Sequence, residues 1–377
     1  MWYNINMKLI AQIKLNPTPE QAQTLRQTLE MANAACNYIS FQAWDNKTFR
    51  QFPLHKISYY SVKEKFPLTA QVIVRCISKV ADAYKIDHKH KRIFKPFGAI
   101  AFDDRILSYK LDKKEVSIWT VSGRQRIPFS AGIRQMELLK SQRGESDLCL
   151  VNGEFYLLTV CDVDTPEPID IEGYLGVDLG IVNIASDSDG EVFSGDSVER
   201  NRRKYEHRRR NLQKKQTKSA KRKLKKLSGK QVRFQKQTNH VISKMLVEKA
   251  KDTQRGIALE NLKGIREGTV VRHKQRGKHS NWSFNQLQKY ISYKAKLAGI
   301  SVIFVDPRNT SRTCPNCGCV DKANRTTQSR FSCVSCGFSG LADTVAAVNI
   351  AARAKVNLPN GLNPHGLGTI PRLLAAG

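Results

Sequence analysis

The chain has 377 residues, 40% of them hydrophobic, which allows two or three globular domains and excludes a wholly disordered protein. Lys and Arg number 63 against 33 Asp and Glu, so the formal net charge is +30. This excess predicts a polyanionic partner, because basic residues that neutralise phosphates release counterions; a basic surface without a partner is the alternative.

Targeting signals and cysteine usage indicate the compartment. No stretch of about 18 apolar residues is present, so we expect no membrane span. MWYNINMKLIAQ lacks the pattern of a secretory signal, and both Met1 and Met7 are candidate start residues. Four of the nine Cys residues form two C-x-x-C pairs and the other five are scattered, which predicts a metal site in a reducing compartment. We therefore expect a cytoplasmic protein.

The N-terminal part of the chain reads as strand, helices and then strands. MKLIAQIKL (7–15) alternates like a strand, and Thr18 followed by Pro19 is typical of a helix start. The pattern is helical to about residue 95, and short strands joined by turns fill about 96–162. This order predicts a β-barrel or sandwich that includes the N-terminal strand. The acidic, proline-bearing DTPEPID (164–170) is the expected domain boundary.

Strands and helices alternate from residue 171 to 305, which predicts an α/β domain. GYLGVDLGIVNIASDSDGEVF reads as a buried strand, a bend and a second strand after the SDSDG turn. GIALENLKG (256–264) is a short buried strand, and FNQLQKYISYKAKLAGISVIFVD is a helix followed by a strand. KVNLPNGLNPHGLG, in the C-terminal tail, is expected to be loosely structured.

A strongly basic segment separates the strands of this domain. Residues 200–236 carry 18 Lys or Arg against one acidic residue, Glu206. A solvated or disordered charge run is the alternative, but the segment continues into NHVISKMLVEKA, whose apolar residues repeat at helical spacing. We therefore predict two long helices with one packed face and a basic outer face that contacts nucleic acid.

The two C-x-x-C pairs are Cys314 with Cys317 and Cys333 with Cys336, separated by fifteen residues. Each pair brackets a tight turn that ends in glycine. Four thiolates in this arrangement suit one tetrahedral structural zinc ion and leave no open position for water. We expect Cys319 to be a bystander.

Three acidic residues lie at the edges of apolar elements. Asp178 and Glu260 each end an apolar strand, and Asp343 heads the helix TVAAVNIAARA. Taken singly, each has an ordinary explanation, such as a turn cap or a helix N-cap. Together they are oxygen ligands of the kind that Mg²⁺ prefers, and two such ions can promote phosphodiester hydrolysis. Asn349, later in the same helix, is expected to face the packing side.

These motifs resemble the TnpB family of transposon-encoded RuvC-like nucleases, which are related to compact type V CRISPR effectors. The resemblance rests on GVDLG, ALENLKG, SRTCPNCG with CVSCG, DTVAAVNIA, and KLNPTPEQ near the start. It implies a multidomain α+β protein with an RNase H-like (RuvC) α/β domain and an inserted zinc ribbon. A β-barrel wedge domain and a helical recognition lobe are expected to precede that domain.

The implied boundaries follow the predicted elements. The wedge domain is expected at 1–17 and 96–165, the recognition lobe at 18–95, and the nuclease domain at 170–305 and 341–356, including basic helices at 200–251. The zinc ribbon is expected at 306–340 and a flexible tail at 357–377.

The resemblance also implies an activity, cofactors and partners. The protein would be an RNA-guided deoxyribonuclease that uses Asp178, Glu260 and Asp343 to bind Mg²⁺, with two ions per active site, and one structural Zn²⁺. Its partners would be a guide RNA from the transposon end and target double-stranded DNA with a short adjacent motif. We expect a monomeric prokaryotic protein that associates with the nucleoid through DNA.

Residues that contact nucleic acid are expected in three places. The reader of the adjacent motif should lie on the helix at 69–85 and at FDDR (102–105), the basic helices should contact phosphates, and one arginine precedes the ribbon. For any of them a packing or surface role is the alternative. The candidates are Gln71, Arg75, Lys79, Asp103, Asp104, Arg202, Arg203, Arg208, Arg209, Lys221, Arg222 and Arg312.

Other functions remain open at this point. The chain could be an RNA-guided repressor, although all three acidic residues are present, or a compact type V CRISPR effector. A third class is a zinc-ribbon RNA-binding component of a ribonucleoprotein, in which the acidic residues are structural.

Overall fold

A computed structural model describes residues 7–262 and 284–356 and divides the chain into two compact units, Met1–Asp164 and Thr165–Gly377. The boundary coincides with the start of DTPEPID, as predicted. The candidate start at Met1 and the predicted tail at 357–377 lie outside the described residues. Within the described part of the chain, no helix is long and apolar enough to cross a membrane.

Three helices follow the first strand of unit 1. Their bounds are α1 Pro19–Asp45, α2 Gln51–Lys65 and α3 Ala70–Ile86. The predicted start of α1 is confirmed: Gln21 N donates to Thr18 Oγ1 at 3.3 Å, and Thr18 N donates to Gln21 Oε1 at 3.1 Å. This reciprocal pair satisfies backbone groups that the first turn leaves unpaired.

The sheet of unit 1 has seven antiparallel strands in the order β2-β6-β7-β1-β5-β4-β3. The N-terminal strand lies inside this sheet, as predicted, because it pairs with β7 from Met7 to Lys14 and then with β5. Tyr109 Oη of edge strand β3 contacts Thr159 Oγ1 of β7 at 2.5 Å, so the sheet curls towards closure. The short strands predicted for about 96–162 are present, whereas helix α4 within this region was not predicted. The bounds are β1 Met7–Leu15, β2 Ile100–Phe102, β3 Leu107–Lys110, β4 Glu115–Thr120, β5 Gly123–Ser130, α4 Ile133–Lys140, β6 Gln142–Val151 and β7 Glu154–Val163.

Unit 2 is built on a five-stranded sheet in the order β10-β9-β8-β11-β12. Strands β8, β11 and β12 are parallel, whereas β9 and β10 are antiparallel to their neighbours. The bounds are β8 Gly173–Asp178, β9 Asn183–Asp187, β10 Val192–Ser194, β11 Arg255–Glu260 and β12 Val302–Val305.

The prediction of two strands in the first part of this sheet was wrong, since there are three. The chain reverses at Gly180, where an added Cβ would lie 2.7 Å from Asn183 O. β9 therefore folds back on β8 before the SDSDG turn instead of after it.

The helices of unit 2 confirm the predicted two long basic helices. Val198 of α5 and Ile242 and Leu246 of α6 belong to the buried core, while most of the basic side chains are exposed. The bounds are α5 Asp196–Lys215, α6 Lys218–Asp252, α7 Phe284–Leu297 and α8 Ala342–Val356.

Helix α8 lies unusually close to strand β8. A Cβ added at Gly176 would lie 2.0 Å from Ala347 O and 2.7 Å from Ala351 N, so the strand and the helix touch backbone to backbone. Buried alanines on α8 allow this approach, including Ala346 and Ala347. The close contact brings the start of α8 to the edge of the sheet.

Candidate active site and zinc centre

Two of the three predicted acidic residues lie side by side at one edge of the sheet. Asp178 ends β8 and Glu260 ends β11, and the parallel register pairs Val177 with Leu259, so the next residues of both strands are neighbours. Carboxyl ends of parallel strands share one edge of a sheet, and ligands bind at this edge in open α/β sheets. The apolar strand residues around them are buried.

Asp343 reaches the same place from α8. It lies in the first turn of this helix, which packs on β8 and β9, and Asn183 Nδ2 donates to Asp343 Oδ2 at 2.9 Å. Burial, followed by the negative charges of Glu260 and Asp343, raises the pKa of Asp178 to about 7. The structure therefore brings the three predicted carboxylates into one electrostatic cluster.

The carboxylate of Glu260 has a specific partner. Thr310 Oγ1 donates to Glu260 Oε1 at 2.5 Å, and Gln288 Nε2 donates to the backbone carbonyl of Glu260 at 2.8 Å. Burial raises the pKa of the Glu260 carboxyl, whereas the Thr310 hydroxyl acts in the opposite direction. The half-buried carboxylate of Glu260 retains lone pairs for another ligand beside this hydrogen bond.

One cation approaches the carboxylate cluster from the ribbon. Arg325 Nη2 lies 3.6 Å from Asp343 Oδ1, and the positive charge of Arg325 lowers the pKa of Asp178, opposing the effect of burial. The sequence predictions missed Arg325, Asn183 and Thr310. Asn183 follows GVDLG closely and Thr310 begins TSRTC, so both lie in recognisable motifs, whereas nothing in the polar loop around Arg325 marks it.

The donor set of this cluster suits a hard divalent cation, since it consists of carboxylate oxygens on rigid elements. Ser186, which pairs with Asp178 across β8 and β9, has a buried hydroxyl without a hydrogen-bond partner among the described residues. Cross-strand partners point to the same face of a sheet. A further oxygen is therefore available beside Asp178.

The four predicted zinc ligands form a tight cluster. The Sγ atoms of Cys314 and Cys336 lie 3.6 Å apart, those of Cys317 and Cys333 also 3.6 Å, and all four within 4.8 Å of one another. Zinc with four bonds of about 2.3 Å holds its sulfurs about 3.8 Å apart, so the cluster fits a structural zinc ion. Among the described residues, it is the one group of three or more Cys, His, Asp or Glu side chains this close together.

The fold of the ribbon favours the thiolate form of two ligands, Cys333 and Cys336, whereas burial raises the pKa of Cys314 to about 12. Strands β13 Arg330–Ser332 and β14 Ser339–Leu341 pair antiparallel on either side of the second C-x-x-C. The backbone N–H of Phe338, and next the amide of Asn316, lower the pKa of Cys336 to about 6. Zinc binds thiolates, so these hydrogen bonds favour metal binding. Cys319 is not part of the cluster, as predicted.

Two family models match separate parts of unit 2 and the end of unit 1. The OrfB_IS605 model, described as a probable transposase, matches residues 159–264, and the Cas12f1-like TNB domain model matches residues 284–350. TnpB-like protein MJ0751 of Methanocaldococcus jannaschii is 32% identical over 200 residues, which are 50% of this chain and 71% of that protein. The chain belongs to the TnpB family.

Other relatives of this TnpB-family chain carry nuclease names. A CRISPR-associated endodeoxyribonuclease Cas12f1 of Sulfoacidibacillus thermotolerans is 40% identical over 129 residues, 34% of this chain and 29% of the relative. The putative RNA-guided DNA endonuclease InsQ of Escherichia coli K12 is 27% identical over 225 residues, 55% of this chain and 56% of the relative. Both matches therefore span little more than half of the relative or less.

A solved structure shows the same fold. The cryo-EM structure of a Cas12f1–sgRNA–target DNA complex contains a chain with a TM-score of 0.58 and 17% sequence identity. The likeness covers 88% of this TnpB-family chain and 81% of that chain. At this identity it supports the multidomain α+β architecture.

Most of the nucleic-acid candidates on α5 are engaged within their own helix hairpin. Arg202 pairs with Glu199 at 2.7 Å and Glu206 at 3.0 Å, Arg203 pairs with Glu199 at 2.9 Å, and Arg209 Nη2 donates to Gln231 Oε1 at 3.0 Å. Exposed side chains are more available to a phosphate backbone. The exposed basic candidates are Arg208, Lys221, Arg222, Arg312 before the ribbon, and Arg203, which is paired with Glu199.

The candidates on α3 of this TnpB-family chain are half-buried and partnered inside unit 1. Gln71 donates to Asp103, Arg75 pairs with Glu145, and Lys79 Nζ donates to Asn33 Oδ1 at 2.7 Å and to the carbonyl of Ala99 at 2.8 Å. These contacts favour the packing role for Arg75 and Lys79. Asp104 is exposed.

Proposed function

We propose that this protein is an RNA-guided, Mg²⁺-dependent DNA endonuclease. The observation that carries the proposal is the convergence of Asp178, Glu260 and Asp343, from two strands and a helix, on one edge of a sheet. Three half-buried carboxylates on neighbouring elements would destabilise the fold if they had only a structural role, because charges removed from water are costly unless they are paired. A site that binds cations explains the arrangement.

The sheet topology supports a RuvC-like, or RNase H-like, nuclease domain. Numbered within unit 2, the strand order is third, second, first, fourth and fifth, with the first three antiparallel. We assign metal binding to Asp178 at the end of the first strand, Glu260 at the end of the fourth strand and Asp343 at the start of helix α8. The finer assignment of unit 1 to a wedge domain and a recognition lobe follows the same family pattern.

Asp178, Glu260 and Asp343 would hold Mg²⁺, which would supply a nucleophilic water and stabilise the leaving oxygen. The protein residues orient these ligands: Asn183 holds one oxygen of Asp343 and Thr310 one oxygen of Glu260. Arg325 lies beside Asp343, where a guanidinium group would bind a phosphodiester oxygen. The ribbon would thus both carry structural zinc and add a cation to the active site.

Guide RNA and target DNA are the proposed partners. The formal charge of +30 suits a protein that binds two nucleic acids, and the exposed basic residues of α5 and α6 lie in the nuclease unit. The names of relatives, including an RNA-guided DNA endonuclease and CRISPR-associated endodeoxyribonucleases, support the same partners. Pairing between guide and target would read sequence, while the protein would read a short adjacent motif.

The test is to purify the chain with the RNA expressed from its flanking DNA, sequence the bound RNA, and challenge the complex with a plasmid that pairs with it beside a randomised motif. We expect cleavage that requires Mg²⁺ and both the pairing and a subset of motifs. Absence of a defined bound RNA would exclude the guided function. Guided binding without cleavage by the parent protein would make it a repressor instead.

A further inference from the structure

The segment at residues 306–313, between β12 and the first pair of clustered cysteines, touches the carboxylate cluster through Thr310. Thr310 is 3% exposed, and its hydroxyl lies 2.5 Å from Glu260 Oε1 and 3.1 Å from the carbonyl of Pro307. A threonine hydroxyl has one proton, and a carboxylate oxygen is the stronger acceptor. The Thr310 hydroxyl therefore donates its hydrogen bond to Glu260 and not to Pro307.

Helix α8 holds the backbone of this segment. Asn349 is 6% exposed, and its Nδ2 donates to the carbonyls of Thr310 at 2.8 Å and Thr313 at 2.7 Å. Both amide hydrogens are therefore used on the same segment. The prediction that Asn349 faces the packing side is confirmed, and its side chain fixes where Thr310 stands.

The zinc ribbon holds the same segment from the other side. Asn324 is fully buried; its Nδ2 donates to the carbonyl of Arg312 at 2.9 Å, and its Oδ1 accepts from Val334 N at 2.9 Å. Val334 lies inside the second C-x-x-C. The segment is thus anchored to the helix that carries Asp343 and to the loop that carries two zinc ligands.

We propose that Thr310 is a positioning residue for Glu260 and that Asn349 acts through Thr310. The inference rests on the proposed function, in which Glu260 is a Mg²⁺ ligand. Glu260 has a flexible side chain, and its charge repels that of Asp178, so an unrestrained carboxylate would turn away from Asp178. The hydroxyl holds one oxygen in place, and the remaining lone pairs face the cation site.

The position and contacts of Thr310 distinguish this role from simple packing. Removing a hydrogen-bond partner of a metal ligand commonly lowers metal affinity about 10- to 100-fold. The substitution Thr310→Val keeps the shape of the side chain and removes the hydroxyl, whereas Thr310→Ser keeps the hydroxyl and removes the methyl group. Thr313→Val is a matched control, because the Thr313 hydroxyl donates to the carbonyl of Asn309 at 2.8 Å and not to a carboxylate.

The experiment measures the Mg²⁺ concentration that gives half-maximal plasmid cleavage by the guide-RNA complex. We expect Thr310→Val to raise it about 10- to 100-fold, with the rate largely recovered at saturating Mg²⁺. Thr310→Ser and Thr313→Val should stay within about threefold of the parent. The double variant Asn349→Ala with Thr310→Val should need no more Mg²⁺ than the single variant that needs more. The effects of two residues are not additive when one acts through the other.

A readout without turnover separates this inference from the proposed function. Fe²⁺ with ascorbate and peroxide cleaves a polypeptide beside a bound metal, and mass spectrometry locates the cuts. We expect cuts near residues 260 and 343 in the parent and weaker ones in Thr310→Val at limiting Fe²⁺. No cuts in the parent would overturn the metal site itself. Cuts in the parent with equal metal requirements for Thr310→Val and Thr310→Ser would overturn the role of Thr310 alone.

Discussion

The two centres of unit 2 differ in how their ligands are assembled. The four cysteines come from 23 consecutive residues and lie within 4.8 Å of one another, so the ribbon alone builds the zinc centre. The three carboxylates come from positions 165 residues apart at the extremes, from Asp178 to Asp343, and only the whole fold brings them together. The local cysteine centre stabilises its own loops, whereas repulsion between the three carboxylates of the dispersed centre lowers the stability of the folded chain.

The largest expected effect is the loss of cleavage on removing one carboxylate. Asp178→Ala should lower the rate of guided plasmid cleavage by roughly 10³-fold or more, because the protein loses one of the three proposed Mg²⁺ ligands. Binding of the guide RNA and of the target DNA should persist, as measured by filter binding. Asp252→Ala, on the exposed end of α6, is the matched control and should cut like the parent. Equal cleavage by both variants would show that the carboxylate cluster is not catalytic.

Disrupting the local centre should unfold the ribbon. Cys336→Ser should reduce bound zinc from one per chain towards zero and make residues 306–340 sensitive to protease, because structural zinc contributes directly to folding. We expect a loss of several kcal/mol in the stability of the ribbon, roughly 3 or more, and impaired cleavage through Arg325 and Thr310. Zinc content by mass spectrometry checks this.

Cys319→Ser is the control for the zinc prediction. Cys319 lies two residues after Cys317 but outside the cluster, so its substitution should leave zinc content and protease resistance unchanged. If Cys319→Ser loses zinc and Cys336→Ser retains it, the assignment of the ligands is wrong.

Arg325 connects the two centres and should show an intermediate effect. Arg325→Ala should lower the cleavage rate about 10- to 100-fold at saturating Mg²⁺, because a guanidinium group beside the reacting phosphate is lost. Arg325→Lys should recover only part of the rate, since an ammonium group lacks the planar fork. Arg330→Ala, an exposed arginine of the same ribbon, should behave like the parent. A rate for Arg325→Ala equal to that of Arg330→Ala would contradict a role in the active site.

The last expected effect concerns stability and not the cleavage rate, and it is a gain at the dispersed centre. The pKa of Asp178 is raised to about 7, so between about pH 4 and pH 7 the folded protein keeps a proton that the unfolded chain loses. This contribution therefore decreases stability as the pH rises through that window. In Mg²⁺-free buffer at pH 8, Asp178→Asn should raise the free energy of unfolding by up to about 4 kcal/mol, and at pH 4 the gain should vanish. Calorimetry at the two pH values measures the difference, and an identical gain at both would refute the linkage.

Local patterns in the sequence predict local structure well in this protein. The start of α1 at Thr18 and the cluster of four cysteines depend on residues close together in the sequence, and the structure confirms both. The helix hairpin was also predicted, because apolar residues at helical spacing follow the basic run. The separate strand β9 was missed, since the bend at Gly180 depends on a contact between backbones that no periodicity reveals.

The carboxylate cluster lies between these cases. Asp343 alone reads as a helix cap, and its combination with Asp178 and Glu260 suggested a metal site, which the family resemblance also implied. The partners of the carboxylates could not be predicted, because Asn183, Thr310 and Arg325 meet them through sheet register and ribbon packing. Hydrogen bonds between residues 50 or 160 positions apart leave no pattern in a single sequence.

Gly176 has a consequence for any attempt to adapt this fold. Helix α8 rests on the backbone of β8 at Gly176 and not on a side chain. No change of rotamer can therefore adjust the distance between the helix and the strand. An alanine at this position would act as a spacer and lift the start of α8, with Asp343 on it, away from the strands that carry the other two carboxylates. The absence of a side chain at Gly176 thus sets the distance between Asp343 and the other two carboxylates, although Gly176 itself lies under the helix.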